Sequence, residues 1–196
     1  MIFGITGGTG CGKTTALRAI EALGGHVFDC DAIYHDLLKT DKDLLLRIET
    51  RFPGVVEDGQ LQRKRLGAIV FADENALADL NDITHGAVCE AVKKGLAEHP
   101  GLAAIDAIAL MESGLAKLCD VTVAITAPRE DRIARLMKRD NITAEYAALR
   151  IDAQKSDAYF ASVCDHVLCN NERESIFYQK CIAFFQQYNI IETESY

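Results

Sequence analysis

Short apolar runs alternate along the chain with longer segments in which apolar positions recur every three or four residues. A run of four to six such residues bounded by turn-forming residues is typical of a buried strand, and the longer spacing is typical of a helix. The predicted strands are Ile2–Ile5, His26–Phe28, Leu102–Ile105, Val121–Ile125 and His166–Cys169. Because helical segments separate them, we expect an α/β fold with a mostly parallel sheet that has helices on both faces.

Two helical segments stand out by their position between the strands. The first, about 32–98, is broken near Pro53-Gly54 and Asp58-Gly59 and is interpreted as an insertion that contacts a substrate. The second, about 129–155, follows Pro128, which suits the first position of a helix, and contains Thr143 as an N-cap. We expect it to be a lid, and we expect residues 1–196 to form a single domain.

Composition narrows the class of protein. The chain is 49% hydrophobic and 26% charged, which is ordinary for a globular protein, and its net charge of −8 argues against nucleic-acid binding. It contains no apolar run of about 18 residues and no signal-peptide pattern, so we expect no membrane association. The seven cysteines are odd in number and scattered, which indicates free thiols and a cytoplasmic location. A monomer and a small homo-oligomer both remain open.

A glycine-rich segment after the first predicted strand carries the strongest chemical signal. Gly7–Thr14 reads GGTGCGKT, which fits the phosphate-loop pattern G-x-x-x-x-G-K-[ST] between a strand and a helix. Its amides and the positive end of the next helix suit a nucleoside triphosphate, and a chance glycine turn is the weaker alternative. Lys13 is expected between the phosphates, with the Thr14 hydroxyl on Mg²⁺. The expected nucleotide contacts here are Gly8, Gly10, Cys11, Gly12, Lys13, Thr14 and Thr15.

Carboxylates follow two of the predicted strands. Asp29 and Asp31 come after the second strand and Asp106 after the third, where ligands of an open α/β sheet collect. Asp31 is a candidate base that accepts the proton of an attacking hydroxyl, although either Asp29 or Asp31 could simply cap the next helix. Asp106 is a candidate acid for Mg²⁺, and helix capping or solvent exposure explains it about equally well.

Three arginines share one face of the second helical segment. Arg132, Arg135 and Arg139 have helical spacing, and arginine forks match phosphate oxygens. The alternative is a solvated helix face paired with Glu130 and Asp131. We favour the phosphate interpretation, because phosphoryl transfer needs more cations than a single lysine.

The order of these motifs resembles the dephospho-coenzyme A kinase family. The matching stretches are Thr6–Thr14, Asp29–His35, Leu61–Phe71, Ala103–Asp106, Glu112–Leu115, Arg132–Asp140, Gln154 and Asn170-Asn171. The resemblance implies a P-loop kinase-like fold, with a five-stranded parallel sheet flanked by helices, a helical substrate-binding insertion and a lid. It also implies that ATP phosphorylates the ribose 3′-hydroxyl of dephospho-CoA.

The resemblance further implies roles for single residues. Asp31 and Lys13 would be catalytic, with Asp31 as the general base. Thr14 would bind Mg²⁺, with Asp106 assisting. Further ATP contacts would come from Arg135, Arg139 and Asn170, and acceptor contacts from Asp31, His35, Arg65 and His85.

The sequence departs from the family pattern on the acceptor side. His35 replaces a common arginine, Gly86 replaces a proline and thereby predicts a looser turn after His85, and Ile108–Leu110 replaces Pro-Leu-Leu. A nucleoside or nucleotide kinase is therefore an alternative. A nucleotide-dependent switch is another, but the guanine motif N-K-x-D and the motif D-x-x-G are both missing from the sequence.

Overall fold

A parallel five-stranded sheet forms the centre of the molecule in the computed structural model, which describes residues 1–193. Within that range the strands are β1 (Ile2–Thr6), β2 (His26–Asp29), β3 (Val56–Glu57), β4 (Gln60–Leu61), β5 (Ala103–Asp106), β6 (Val121–Thr126) and β7 (His166–Cys169). The main sheet has the order β2-β5-β1-β6-β7, and every neighbouring pair is parallel. The five predicted strands and the α/β class are therefore confirmed.

Helices surround the sheet, and several of them fall in the two segments that were predicted to be helical. They are α1 (Lys13–Ala22), α2 (Cys30–Thr40), α3 (Lys42–Arg51), α4 (Arg63–Val70), α5 (Glu74–Glu98), α6 (Arg129–Asp140), α7 (Ala144–Asp152), α8 (Asp157–Val163) and α9 (Glu174–Thr193), with a short 3₁₀ helix at Leu115–Leu118. None of the helices within residues 1–193 combines the length and the apolar character needed to cross a lipid bilayer.

The strands are covered on both faces, which explains their continuous apolar sequences. Phe3 and Ile5 of β1 pack with Ile20 of α1 and with Phe177 and Phe185 of α9. A second cluster includes Phe28 of β2, Ile105 of β5 and Val92 of α5. Parallel strands with two buried faces lack the alternating polar positions of half-exposed strands, so their apolar runs are recognisable in the sequence.

The first helical segment, residues 32–98, has a small core of its own. Leu44, Ile48 and Phe52 of the α3 region pack against Leu66 of α4 and Leu80 of α5. Side-chain caps define several helix starts here, with Asp41 accepting from the Leu44 amide at 2.9 Å. Leu38 of α2 and Ala76 of α5 belong to the same small core, which connects this segment to the helices that begin after β2 and end before β5.

The two breaks predicted in residues 32–98 are confirmed, since Pro53-Gly54 lies between α3 and β3 and Asp58-Gly59 is the turn of the β3–β4 hairpin, with positive φ at both turn residues. The following predictions are the ones that change. Pro128 is the N-cap of α6, not its first residue. Helix α5 runs unbroken through Gly86, so no turn follows His85. Phe71 is an aromatic residue of a kind usually buried, but it is 87% exposed at the end of α4, because the preceding Leu66 and Val70 face the small core instead.

Candidate active site

The phosphate loop connects β1 to α1 at the carboxyl edge of the sheet. Gly7, Gly10 and Gly12 have φ values of 137°, 77° and 99°, which residues with a Cβ rarely adopt. A Cβ on Gly12 would also lie 2.2 Å from Nδ2 of Asn170. All three glycines are therefore needed for the backbone path, and Gly12 also for close packing against Asn170 after β7.

Side chains from α6 and β7 hold the loop carbonyls. Arg132 Nε donates to the Thr9 carbonyl at 2.9 Å, and Arg135 Nη1 donates to the carbonyls of Gly10 and Cys11 at 3.2 and 3.3 Å. Asn170 Nδ2 donates to the same Cys11 carbonyl at 2.9 Å. Because C=O and N–H lie on opposite sides of a trans peptide, these bonds fix the direction of the loop amides as well.

A cleft of about 490 Å³ lies over the loop. It is lined by the loop residues Gly8–Thr14 and by Asp106, Arg135, Leu136, Lys138 and Arg139. Lys13 Nζ donates to the Gly7 carbonyl at 3.2 Å, so the ammonium group lies along the loop. Backbone amides, a helix N-terminus and several cations converge here, which is the arrangement that binds phosphate groups.

Two residues predicted to contact the nucleotide contribute only their backbone or lie behind the loop. The Cys11 side chain is buried, and burial raises the pKa of its thiol, so this residue can offer the cleft only its main chain. Thr15 is buried on the core side of α1 and does not line the cleft. Asn170 is buried as well, and among the described residues its Oδ1 has no hydrogen-bond partner.

The predicted arginine strip divides into residues with different contacts. Arg132 is buried and pairs with Asp157 at 3.0 Å, while Arg135 is bound to the loop carbonyls. Arg139 lines the cleft but is held by its neighbour Asp140, which also accepts from Arg150 at 2.5 Å. The hydrogen bond from Arg139 holds the pKa of Asp140 well below its usual range. None of the three arginines pairs, within residues 1–193, with Glu130 or Asp131, the partners of the solvated-face alternative.

Three carboxylates meet where β2 and β5 end. Asp29 and Asp106 are register partners, and Asp31 follows in the first turn of α2. Burial raises the pKa of Asp106 to about 6; the charge of Lys13 opposes this shift, and the charges of Asp29 and Asp31 add to it. Lys13 and the three carboxylates therefore lie close enough to act on one another electrostatically.

The two candidate capping residues of α2 have separate functions. Asp29 Oδ1 accepts from the Ala32 amide at 2.9 Å and is the N-cap. Asp31 is exposed, and within the described part of the chain it makes no hydrogen bond or ion pair. The capping explanation therefore applies to Asp29 and leaves the Asp31 carboxylate available for a ligand.

Asp31 lines a second cleft of about 210 Å³ between α2, α5 and the segment after β5. Cys30, Tyr34, Thr84, His85 and Ser113 line it too, over an apolar floor. Burial lowers the pKa of His85, while Asp82 and Glu112 act in the opposite direction. At neutral pH His85 is therefore an uncharged imidazole, with one nitrogen that donates and one that accepts.

The other predicted acceptor residues lie outside this second cleft. Arg65 is exposed and pairs with Glu57 at 3.0 Å, and its Nη1 also donates to the Gly54 carbonyl. His35 is exposed on α2, with its Nδ1 3.4 Å from Nη2 of Arg63. The structure thus brings Asp31 and His85 together and leaves His35 and Arg65 on the nearby surface.

The donors near the loop suit a hard divalent cation. Asp106 Oδ1 is buried and, among the described residues, has no hydrogen-bond partner, although it lines the loop cleft together with Thr14. An unpaired buried carboxylate oxygen and a hydroxyl are oxygen ligands of the type that Mg²⁺ prefers. A cation at this position would also compensate the charge that burial otherwise destabilises.

Three contacts of this region were not predicted from single motifs. Gln154 Oε1 accepts from the Thr9 amide at 2.7 Å, Asp140 bridges Arg139 and Arg150, and the Tyr159 hydroxyl donates to Glu112 at 2.9 Å. Gln154, Asp140 and Glu112 each belong to a motif that carried the family resemblance, but the motifs do not indicate which atoms meet.

The family model that matches this chain and two of its sequence relatives carry the same name, dephospho-CoA kinase. A family model described as dephospho-CoA kinase matches residues 1–175. The dephospho-CoA kinase of Dehalococcoides mccartyi is 38% identical over 178 residues, covering 88% of this chain and 89% of that protein. The enzyme of Thermobifida fusca is 34% identical over 175 residues, covering 87% and 88%.

Solved structures share the fold. A protein from Thermus thermophilus superposes with a TM-score of 0.78 at 27% identity, covering 95% of this chain and 97% of that one. Campylobacter jejuni dephospho-CoA kinase gives 0.68 at 24% identity, covering 95% and 96%. Acinetobacter baumannii shikimate kinase gives 0.55 at 16% identity, covering 100% and 95%, and this last likeness shows a shared fold alone.

Proposed function

The chain belongs to the dephospho-CoA kinase family, and we propose that it transfers the terminal phosphoryl group of ATP to the ribose 3′-hydroxyl of dephospho-CoA, giving CoA and ADP. The observation that carries this proposal is that the two clefts are lined by consecutive residues of the chain. Asp106 lines the loop cleft, and the next residue, Ala107, lines the cleft that contains Asp31. A triphosphate in the first cleft and a hydroxyl beside Asp31 in the second would therefore meet at this boundary.

On the nucleotide side, the loop amides and Lys13 bind the phosphates of ATP. Lys13 stabilises the negative charge that develops on the transferred group and on the leaving ADP. Arg139 lines the same cleft, and when ATP binds its guanidinium donates to a phosphate oxygen in place of the Asp140 carboxylate. Arg135 and Asn170 act by orienting the loop carbonyls, which keeps the amides directed at the nucleotide.

On the acceptor side, Asp31 is the general base. Its carboxylate accepts the hydroxyl proton of the ribose as that oxygen attacks the terminal phosphorus, and the bond from this phosphorus to the ADP oxygen breaks. His85 contributes a neutral hydrogen-bonding side chain in the same cleft. His35 and Arg65 lie at the surface near this cleft, where they would meet the parts of dephospho-CoA that extend beyond it.

Thr14 and Asp106 are the residues that would hold Mg²⁺. The ion neutralises phosphate charge and orients the terminal phosphates when it is bound. The unpaired Oδ1 of Asp106 supports this assignment, since it is an anionic oxygen next to the loop with no protein donor among the described residues.

We propose that the helix pair α6–α7 is the lid predicted at 129–155, and that residues 32–98 are the acceptor-binding insertion of a single kinase domain, 1–196. A lid that closes over ATP excludes water and limits hydrolysis. All seven cysteines are unpaired, which supports a reducing, cytoplasmic setting. ATP and dephospho-CoA are the proposed ligands of the chain. We expect the protein to be a monomer or a small homo-oligomer and to bind neither nucleic acid nor membranes.

The direct test is a mass-spectrometric assay for CoA formed from dephospho-CoA, ATP and Mg²⁺, with nucleosides as competing acceptors. Asp31→Asn removes the base and is expected to lower turnover by about 10²–10⁴-fold while ATP binding is retained. Asp36→Asn changes an exposed carboxylate of the same helix, outside both clefts, and is the matched control.

Two outcomes of this assay would contradict the proposal. Phosphorylation of a nucleoside with dephospho-CoA left unchanged would show that the acceptor is wrong. Equal turnover of Asp31→Asn and Asp36→Asn would show that the base is wrong, even if CoA is formed.

A further inference from the structure

Both ends of the helix pair α6–α7 are hydrogen-bonded to one residue of the phosphate loop. Arg132, in the first turn of α6, donates from Nε to the Thr9 carbonyl at 2.9 Å. Gln154, two residues beyond the end of α7, accepts from the Thr9 amide through Oε1 at 2.7 Å. The segments that enter and leave the pair therefore meet at the main chain of Thr9.

Space for this contact is provided by Gly8. A Cβ at this position would lie 2.2 Å from Nη2 of Arg132 and 3.2 Å from Oε1 of Gln154. Gly8 has no positive φ, so it is the packing of these two side chains that excludes a larger residue. The loop sequence is thus fitted to the two helix ends as well as to phosphate.

The two bonds differ in how firmly they are anchored. Arg132 is buried and its Nη1 donates to Asp157 at 3.0 Å, so moving it would break an ion pair and leave a buried charge without its partner. Gln154 is half-buried, and its amide is uncharged and reaches the edge of a neighbouring cleft. Its bond to Thr9 can break and re-form at much lower cost.

We propose that Gln154 is a positioning residue that couples the position of the α6–α7 pair to the conformation of the phosphate loop. A triphosphate that draws the loop amides towards itself changes the Thr9 main chain, and the bond to Gln154 passes that change to the end of α7. Such coupling requires that the two states differ in their contacts, and the Thr9–Gln154 bond is that difference. The inference rests on the proposed function only in requiring ATP in the loop cleft.

The chain contains no tryptophan, so one introduced tryptophan reports on the helix pair alone. Tyr146 is exposed on α7, and Tyr146→Trp is the parent protein for a titration with Mg²⁺ and ATP. We expect ATP to change its fluorescence. Adding Gln154→Met, which keeps the length of the side chain but removes the acceptor, is expected to abolish most of that change at saturating ATP. It is also expected to weaken ATP binding, measured by calorimetry, by about fivefold or more.

Two further variants separate coupling from simple damage. Gln154→Glu retains an oxygen that accepts from Thr9 and is expected to restore the fluorescence change at saturation. Asp152→Ala breaks the exposed ion pair with Arg129 at the same end of α7, 2.9 Å long, and is expected to leave the change intact. Thermal unfolding of each variant verifies that it is folded.

The inference is overturned if the parent shows no change with ATP, if Gln154→Met responds like the parent, if Gln154→Glu does not restore the response, or if Asp152→Ala loses it equally. A Gln154→Met variant that does not fold would show that the contact is structural, which also overturns it. Formation of CoA by the parent is measured separately. Absence of CoA with an intact, Gln154-dependent response would contradict the proposed function and leave the coupling standing.

Discussion

The two clefts of this protein differ in which groups they offer to a ligand. Around the phosphate loop, main-chain amides supply donors beside the cationic side chains of the cleft, and Arg132, Arg135 and Asn170 fix the direction of these amides by holding the carbonyls. In the acceptor cleft the polar groups are side chains such as Asp31 and His85, on an apolar floor. The nucleotide side should therefore be sensitive to backbone changes, and the acceptor side to the chemistry of individual side chains.

A pair of glycine substitutions gives the largest expected contrast. Gly12→Ala places a Cβ 2.2 Å from Asn170 Nδ2 at a φ of 99°, so the loop must move and the amides lose their direction. We expect CoA formation to fall by at least about 100-fold, the scale of losing a charge-stabilising donor.

The matched change on the acceptor side is Gly86→Ala. Gly86 lies within α5, where the nearest atom to a new Cβ, Nη2 of Arg47, is 3.8 Å away. We expect unchanged activity and a gain in unfolding free energy of about 0.5–1 kcal/mol, since alanine is the better helix former. Steady-state kinetics and denaturant unfolding test the pair, and similar losses of activity in both variants would remove the contrast between the clefts.

Asp106 lies at the boundary of the two clefts, and substituting it tests whether its buried charge binds a cation. Its pKa is raised to about 6, so the folded state binds its proton more tightly than the unfolded chain does. Stability from this group is therefore present at acidic pH and lost as pH rises through about 6. At pH 7 without Mg²⁺, Asp106→Asn is expected to raise the unfolding free energy by about 1–3 kcal/mol.

The same substitution should weaken activation by Mg²⁺, because a neutral amide replaces the anionic ligand. Unfolding at pH 5 and pH 7 and a Mg²⁺ titration of CoA formation measure the two effects. A variant that is less stable than the native protein at pH 7, or that responds to Mg²⁺ unchanged, would contradict the assignment.

The contrast between the clefts also explains which features could be predicted from the sequence. The strands and the phosphate loop depend on local patterns: apolar runs for a sheet buried on both faces, and glycines where φ is positive. Lys13, Thr14 and Asp106 were therefore expected in the loop cleft, and they line it. Asp31 and Asp29 could not be distinguished from the sequence, because both lie at the start of the same helix and only geometry shows which one caps it.

Contacts between distant segments were out of reach of such patterns. Gln154 meets Thr9 across 145 residues, and Asn170 meets Cys11 across 159. No spacing rule links these positions. The exposed Phe71 shows the opposite limit, since an aromatic side chain in a helical pattern is usually buried and nothing local marks this one as exposed.

The smallest expected effect concerns His85 and sharpens the acceptor side of the comparison. Burial lowers its pKa, so the imidazole is neutral at pH 7 and gains a proton only at lower pH than an exposed histidine. The depressed pKa contributes stability above the ordinary value of 6.5, and this contribution is lost as pH falls through the lower folded value. A neutral hydrogen-bonding substitute should therefore serve at pH 7.

We expect His85→Gln to keep KM for dephospho-CoA within about threefold of the native value at pH 7, because an amide preserves one donor and one acceptor. His85→Ala removes both and should raise that KM further, with KM for ATP unchanged in either variant. As pH falls through the lowered pKa of His85, the native protein should lose acceptor affinity relative to His85→Gln, since charging a half-buried imidazole is unfavourable. Parallel pH profiles for the two proteins, or a change confined to KM for ATP, would show that His85 does not act in the acceptor cleft.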